Sequence, residues 1–221
     1  MLPYTVEVLF ALFDECNKAI RPLQGVALFL TAGVLMLALR SRENRSRIIV
    51  AILAAGWLWT GVVFHLVYFT ELNFAAPAYE IVFILQGFML FWTGVYQNRV
   101  SIRFQRKPAS YAGAAIFILS ALILPVIDWH HGLSWTEARF ALLAPGATAG
   151  LTLGLLMMVD RRPPLWVGAI PVLWTTVAGA HAADLDVYQD IALTAAGLVA
   201  LFWLVARARV LLERGDDINQ L

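Results

Sequence analysis

Apolar residues in this chain come in long runs rather than in alternation. Seven runs approach the roughly 20 residues that a helix needs to cross a bilayer: 19–39, 48–70, 79–97, 110–127, 138–159, 165–183 and 191–212. Strands of a membrane barrel would be shorter and would alternate in polarity. The pattern therefore predicts an all-α membrane protein with seven transmembrane helices. Ahead of the first run, residues 3–18 have the spacing of an amphipathic helix. Val6, Leu9, Phe10 and Phe13 make its apolar stripe, while Glu7, Asp14 and Glu15 stay polar. Such a helix suits the outer headgroup zone. The start lacks the basic segment and small-residue cleavage site of a secretory leader, so none is expected.

Composition agrees. Hydrophobic residues make up 61% of the 221 and charged ones 14%, against about 45–50% and about 25% in soluble domains. An ordinary soluble enzyme could not bury that much apolar surface, and the 13 Phe and 8 Trp exclude disorder. The single cysteine, Cys16, excludes an internal disulfide and a Cys-rich metal cluster. The net charge of +1 gives no basis for nucleic-acid binding.

Charge sets the expected orientation. Thirteen of the 16 Lys and Arg fall after the first, third, fifth and seventh runs: Arg40, Arg42, Arg45, Arg47, Arg99, Arg103, Arg106, Lys107, Arg161, Arg162, Arg207, Arg209 and Arg214. Only Lys18, Arg21 and Arg139 fall on the opposite side. The basic side is read as cytoplasmic, which puts the N-terminus outside and the C-terminus inside. Ten of the 15 acids and all four histidines fall toward the outer side.

The runs also repeat. Thr31-Ala32-Gly33 returns as Thr148-Ala149-Gly150, Leu58-Trp59-Thr60 with His65 as Leu173-Trp174-Thr175 with His181, and Leu90-Phe91-Trp92 as Leu201-Phe202-Trp203. The order is kept, and the first two elements are 28 residues apart in one copy and 26 in the other. This predicts a 3+1+3 parallel repeat. Residues 1–18 form the outer-face helix, 19–97 the first three-helix unit, 110–127 a linker helix, 138–212 the second unit and 213–221 a cytoplasmic tail. The arrangement resembles SWEET-type carriers, whose substrate sites lie at the repeat interface near the midplane.

Ionisable groups inside apolar runs are costly and usually face a bundle interior. His65 and His181 occupy matching places in the two units. They suit a proton-linked gate, a metal site or haem ligation; each also suits a simple hydrogen bond to a carbonyl or water. No cofactor is otherwise indicated. Gln24, Gln86, Thr60, Thr148 and Thr175 either cross-link helices or line a polar path. Asn17 and Asn73 flank runs on the outer side, and Asp190 caps the last run or faces His181. Pro145-Gly146 can break the fifth run. His130-His131 with Asp128 reads either as a solvated loop or as a site for a divalent ion. Phosphate loops, nucleophile elbows and zinc-protease motifs are absent from the sequence. Neither lysine, Lys18 nor Lys107, lies in the seventh run, which argues against a retinal Schiff base.

Several short elements resemble an uncharacterised family of bacterial multi-pass membrane proteins, one of the domain-of-unknown-function families. They are Asn17, Ala19, Pro22 and Gln24; Trp57-Leu58-Trp59 with Gly61 and His65-Leu66; Asn73 with Ala75-Ala76; and Leu85-Gln86 with Phe91-Trp92 and Gly94. Leu153-Gly154-Leu155-Leu156, Leu173-Trp174 and Gln189-Asp190 follow in the second half. Where the family pattern has Cys-Pro-Thr this chain has Ala144-Pro145-Gly146, so no role for that cysteine carries over. The resemblance implies a multi-pass bacterial inner-membrane protein and no activity. From the residues, the leading expectation is a small-solute permease or binding protein. Its site would draw on His65, Trp59, Gln86, Asn17, Gln24, Asn73, Trp174, His181, Thr148 and Asp190. The alternative is an accessory subunit of a larger membrane complex; a homo-oligomer suits the small size.

Overall fold

The computed structural model describes residues 3–40, 43–160, 165–185, 187 and 189–218, with side chains over the same residues except 43–44, 189–190 and 208–218. Asp190, the basic residues Arg42, Arg161, Arg162, Arg209 and Arg214, and the 213–221 tail lie outside the described side chains. The described elements are helical: α1 (Val6–Ala19), α2 (Leu23–Leu39), α3 (Glu43–Trp59), α4 (Ala76–Leu90), α5 (Pro108–Ile118), α6 (Leu124–His130), α7 (Pro145–Met157), α8 (Trp166–Leu185) and α9 (Gln189–Ile218).

Among the described residues, three continuous helices are long and apolar enough to cross a membrane: Arg45–Glu71, Ala76–Tyr96 and Pro108–His130. The pair α1 and α2, bent by 92°, makes a fourth if it counts as one broken span. Large apolar side chains such as Phe29, Phe74 and Phe202 stand outward on this surface, as lipid would allow. Each of the three long helices contains a π-helical stretch: Thr60–Tyr68, Phe91–Tyr96 and Leu119–Ile123. Hydroxyls bond back to carbonyls at the start of two of these stretches. Thr60 Oγ1 donates to the Gly56 carbonyl (2.8 Å) and Ser120 Oγ to that of Ile116 (2.9 Å). Pro125 lies just beyond the third stretch. Its ring pushes against the carbonyl four residues back, which accounts for the widening there.

Two expected helices start late, both at prolines. The 19–39 run becomes helical only at Leu23, after a turn containing a cis Arg21–Pro22 peptide. The 138–159 run does not become helical until Pro145. Proline has no N–H and clashes with the preceding turn, so a helix can begin at Pro145 but not run through it unbroken. The expected fifth span is therefore a 13-residue helix preceded by irregular chain.

Helix α7 is the centre of the bundle. Every residue from Ala147 to Met157 is buried, as befits a helix apolar on all sides. Small residues let its neighbours approach. A Cβ added to Gly154 would lie 2.6 Å from the Gly113 carbonyl oxygen and 2.8 Å from the Phe117 nitrogen, so α5 and α7 touch backbone to backbone. From α3, Trp57 Nε1 donates to Thr152 Oγ1 (2.9 Å). Thr175 and Thr194 fit against Gly197 and Gly179 between α8 and α9.

The basic connections meet at one end of the bundle. There the Ile102 N–H donates to Ser46 Oγ (2.9 Å), the Arg103 N–H to Met158 O (3.1 Å) and the Asp160 N–H to Ser101 O (2.9 Å). Arg207 donates to the Val159 and Asp160 carbonyls.

At the other end, residues 131–144 form a folded-in, non-helical segment that side chains hold in place. Buried Asp128 accepts from Arg139 Nε (3.0 Å), Nη2 (2.6 Å) and backbone N–H (3.2 Å). The Arg139 guanidinium also sits 5.4 Å from the Phe10 ring centre. Asn17 Nδ2 donates to the Thr136 and Ala138 carbonyls (2.7 and 3.1 Å), and Gln24 Nε2 donates to the Asn17 carbonyl. Thr136 Oγ1 donates to Asp14 Oδ1 (2.5 Å). The Thr136 and Lys18 bonds together hold the Asp14 carboxyl below its usual pKa, Lys18 being the larger cause. Leu142 is buried with a φ of +73°, a left-handed geometry that costs a leucine about 1–3 kcal/mol. Its N–H donates to Thr148 Oγ1 (2.9 Å), which donates in turn to the Ala144 carbonyl (2.7 Å).

The amphipathic helix expected over 3–18 is α1, and its apolar side packs on protein. Phe13 stacks on Phe64 with ring centres 4.8 Å apart, and Leu12 and Cys16 are buried with it.

Two outcomes follow from this packing. Gly154→Val lowers stability by about 1–3 kcal/mol or more through overpacking, read as a lower midpoint of thermal unfolding in detergent. Gly25→Val, where an added Cβ meets nothing within 4 Å, leaves the midpoint in place. Arg139→Met costs about 3–5 kcal/mol by stranding Asp128, and the double substitution Arg139→Met with Asp128→Leu regains much of it; a double variant no more stable than the single would refute the pairing account.

Candidate functional site

His65 lies on the π-helical stretch Thr60–Tyr68 and is fully buried. Thr60, Gly61 and Phe64 of the same stretch also face inward. Gly61 matters locally: a Cβ there would lie 3.1 Å from that of Phe83 and 3.3 Å from the Glu80 carbonyl, so its absence lets α4 close in. The result is an aromatic cage around the imidazole. Ring centres of Phe83, Trp174, Phe64, Tyr79 and Phe69 lie 4.5, 5.1, 5.3, 5.7 and 5.8 Å from that of His65. Phe83 and Trp174 meet edge to face at 4.7 Å, joining α4 to α8. Neither His65 nitrogen makes a hydrogen bond. Trp174 Nε1 and the Tyr4 hydroxyl are in the same condition. Burial pushes the Tyr4 hydroxyl up to about 12 despite the opposing hydrogen-bonding influence of the Asn73 side chain on its oxygen, so it stays a neutral O–H whose proton has no acceptor.

Beside the cage lies a cavity of about 70 Å³, room for roughly five waters at about 10–15 Å³ each. Its wall comes from both halves of the chain. Tyr4, Phe13, Phe64, His65 and Phe69 come from the first half; Arg139, Ala144–Ala147, Trp174, His181 and Leu193 come from the second. Among the described residues Arg139 is the one charged side chain in that wall, and its guanidinium is engaged by Asp128. The wall also includes the start of α7, where no side chain caps the helix.

Of the residues expected at the site, His65, Trp174 and His181 share this cavity. His181 approaches the cage through Tyr79, with ring centres 6.4 Å apart. The others lie elsewhere. Trp59 borders a separate apolar groove of about 470 Å³ between α2 and α3. Gln86 Nε2 donates to the Val167 carbonyl (2.9 Å) and links α4 to α8. Asn17 and Thr148 hold backbone at the folded-in segment, Gln24 Nε2 donates to the Asn17 carbonyl, and Asn73 Oδ1 accepts from the Ala75 N–H (2.9 Å) in a turn. Asp190 lies outside the described side chains. Asp128 is committed to Arg139 rather than to His130 and His131. Among the described residues, no group of three or more His, Cys, Asp or Glu is placed to hold a metal ion.

Sequence reasoning missed Tyr4, Tyr79, Phe83 and Arg139 as neighbours of the site. One signal for Arg139 was present: it is the only basic residue inside the 138–159 run, where a cation requires a partner. The aromatic residues gave no signal, because Phe and Tyr are as common on lipid-facing positions as in a cage.

No curated protein and no solved structure matches this chain. A family model does match, and it covers residues 6–213, nearly the whole bundle from α1 into α9. The chain therefore belongs to DUF6064, a family of unknown function.

Proposed function

We propose that this chain is a polytopic membrane protein that binds a small solute in the cavity beside His65 and passes it between the two halves. Seven apolar segments embed it in a bacterial inner membrane, with the N-terminus outside and the basic end in the cytoplasm. The convergence of Arg103, Arg207 and the other basic connections at one end of the bundle supports that orientation. The two three-helix units, related as a parallel repeat, supply the cavity's opposite walls. The observation that carries the reading is the set of buried, unbonded polar groups on His65, Trp174 and Tyr4 at one cavity. Native proteins seldom leave such groups unserved, because each costs about 1–3 kcal/mol. A bound solute or its water would serve them. The volume limits that solute to a few heavy atoms, far below the drug-sized ligands that occupy cavities of about 300–1,000 Å³.

Osmotic swelling of proteoliposomes, followed by light scattering, tests this with formamide, urea, formate and acetate. At least one solute should enter faster than into protein-free vesicles, and Ala178→Trp, which fills the cavity wall, should return the rate to the protein-free level. Protein-free rates for every solute would leave the alternative of an accessory subunit in a larger membrane complex.

A further inference from the structure

We infer that the cavity beside His65 is a site for a small anion, a deeper reading that rests on the cavity's being a solute site. Helix α7 opens directly onto it, since Ala144, Pro145, Gly146 and Ala147 all line the wall. Pro145 has no N–H, so Gly146 and Ala147 carry the first N–H groups of a 13-residue helix that no side chain caps. The Thr148 hydroxyl, the nearest candidate, directs its proton to the Ala144 carbonyl. An uncapped helix start carries a partial positive charge and free donors, the usual elements of an anion site.

The side chains add a second, independent indication. Trp174 Nε1, the Tyr4 hydroxyl and both nitrogens of His65 lack hydrogen-bond partners, and the three residues are 7, 8 and 0% exposed. An indole N–H can only donate; a neutral imidazole offers one donor and a neutral phenol one O–H. The second imidazole nitrogen is an acceptor, but the unserved donors outnumber it, and those donors call for an acceptor. Among the described residues no carboxylate lines the wall, and Asp128 is turned to Arg139 through three hydrogen bonds. A volume of about 70 Å³ accepts formate, nitrate or chloride and excludes a sugar or a nucleotide.

The test uses the full chain in detergent, with gluconate holding ionic strength constant. Thermal unfolding is followed against rising formate, nitrate and chloride, with formamide as the uncharged counterpart of formate. A ligand that binds only the folded chain raises the midpoint in a saturable way. The expected result is a saturable rise with at least one of the three anions and none with formamide. The half-saturating concentration should increase about tenfold or more in Trp174→Phe, which keeps the ring and removes the donor. Tyr4→Phe should weaken binding in the same direction and serves if Trp174→Phe fails to fold. An equal rise with formamide overturns the anion assignment and keeps the solute site. No rise with any probe, or a rise unchanged in both variants, overturns both.

Discussion

A backbone amide or carbonyl that leaves regular structure away from water must find another partner, and in hydrocarbon each failure costs several kcal/mol. Residues 131–144 place this chain under that constraint. The segment enters the bundle without helical bonds of its own, and the molecule answers with side chains from distant parts of the sequence. Asn17 serves two of its carbonyls, Asp128 fixes Arg139 at three points, and Thr148 ties down Leu142 and Ala144. Those polar residues are what make irregular chain tolerable here. The irregular chain in turn delivers Arg139 and the open start of α7 to the cavity wall. Had the 138–159 run continued as a regular helix, its N–H groups would have been spent internally and no free helix start would face His65.

The centre of the bundle obeys a different rule. Helices as apolar as these on every side associate through close contact between small residues. Gly113 and Gly154 bring α5 and α7 together at backbone distance, and Trp57 reaches across to Thr152. The π-helical stretches add a local adjustment. Thr60 and Ser120 bond back to the Gly56 and Ile116 carbonyls at the start of two of them.

Much of the helical plan could be read directly from the chain. Long apolar runs without alternation marked the helices 45–71, 76–96 and 108–130, and the charge pattern gathered the basic connections that now meet at one end. The stripe of Val6, Leu9, Phe10 and Phe13 marked α1. Less legible was what those helices rest on. Hydrophobic periodicity describes a solvent or lipid boundary and says nothing of which neighbour a face meets, so α1 could be seen but not its stacking on Phe64. The apolar run 138–159 hid an irregular half, since hydropathy does not distinguish helix from buried coil; Pro145 and Arg139 were the two marks of it. At the cavity, His65, Trp174 and His181 were visible as polar or amphipathic residues in matching places. Asn17, Gln24, Gln86 and Thr148 looked the same in sequence, because an amide that serves a backbone carbonyl and one that serves a ligand are chemically identical. Only the fold separates them: Asn17 and Thr148 serve the folded-in segment, Gln24 the Asn17 carbonyl and Gln86 that of Val167.

The bonds from Asn17 to Thr136 and Ala138 bridge 119 and 121 positions along the chain, and this imposes an order on assembly. While the ribosome is still making the first four helices, α1 has no second anchor and its amide must stay hydrated. Only after residue 138 has emerged can the elbow between α1 and α2 lock. Contacts this distant in sequence form late, because the intervening loop must close first. The hold of Asn17 on residues 136 and 138 is therefore a late contact, made after Phe13 can already stack on Phe64.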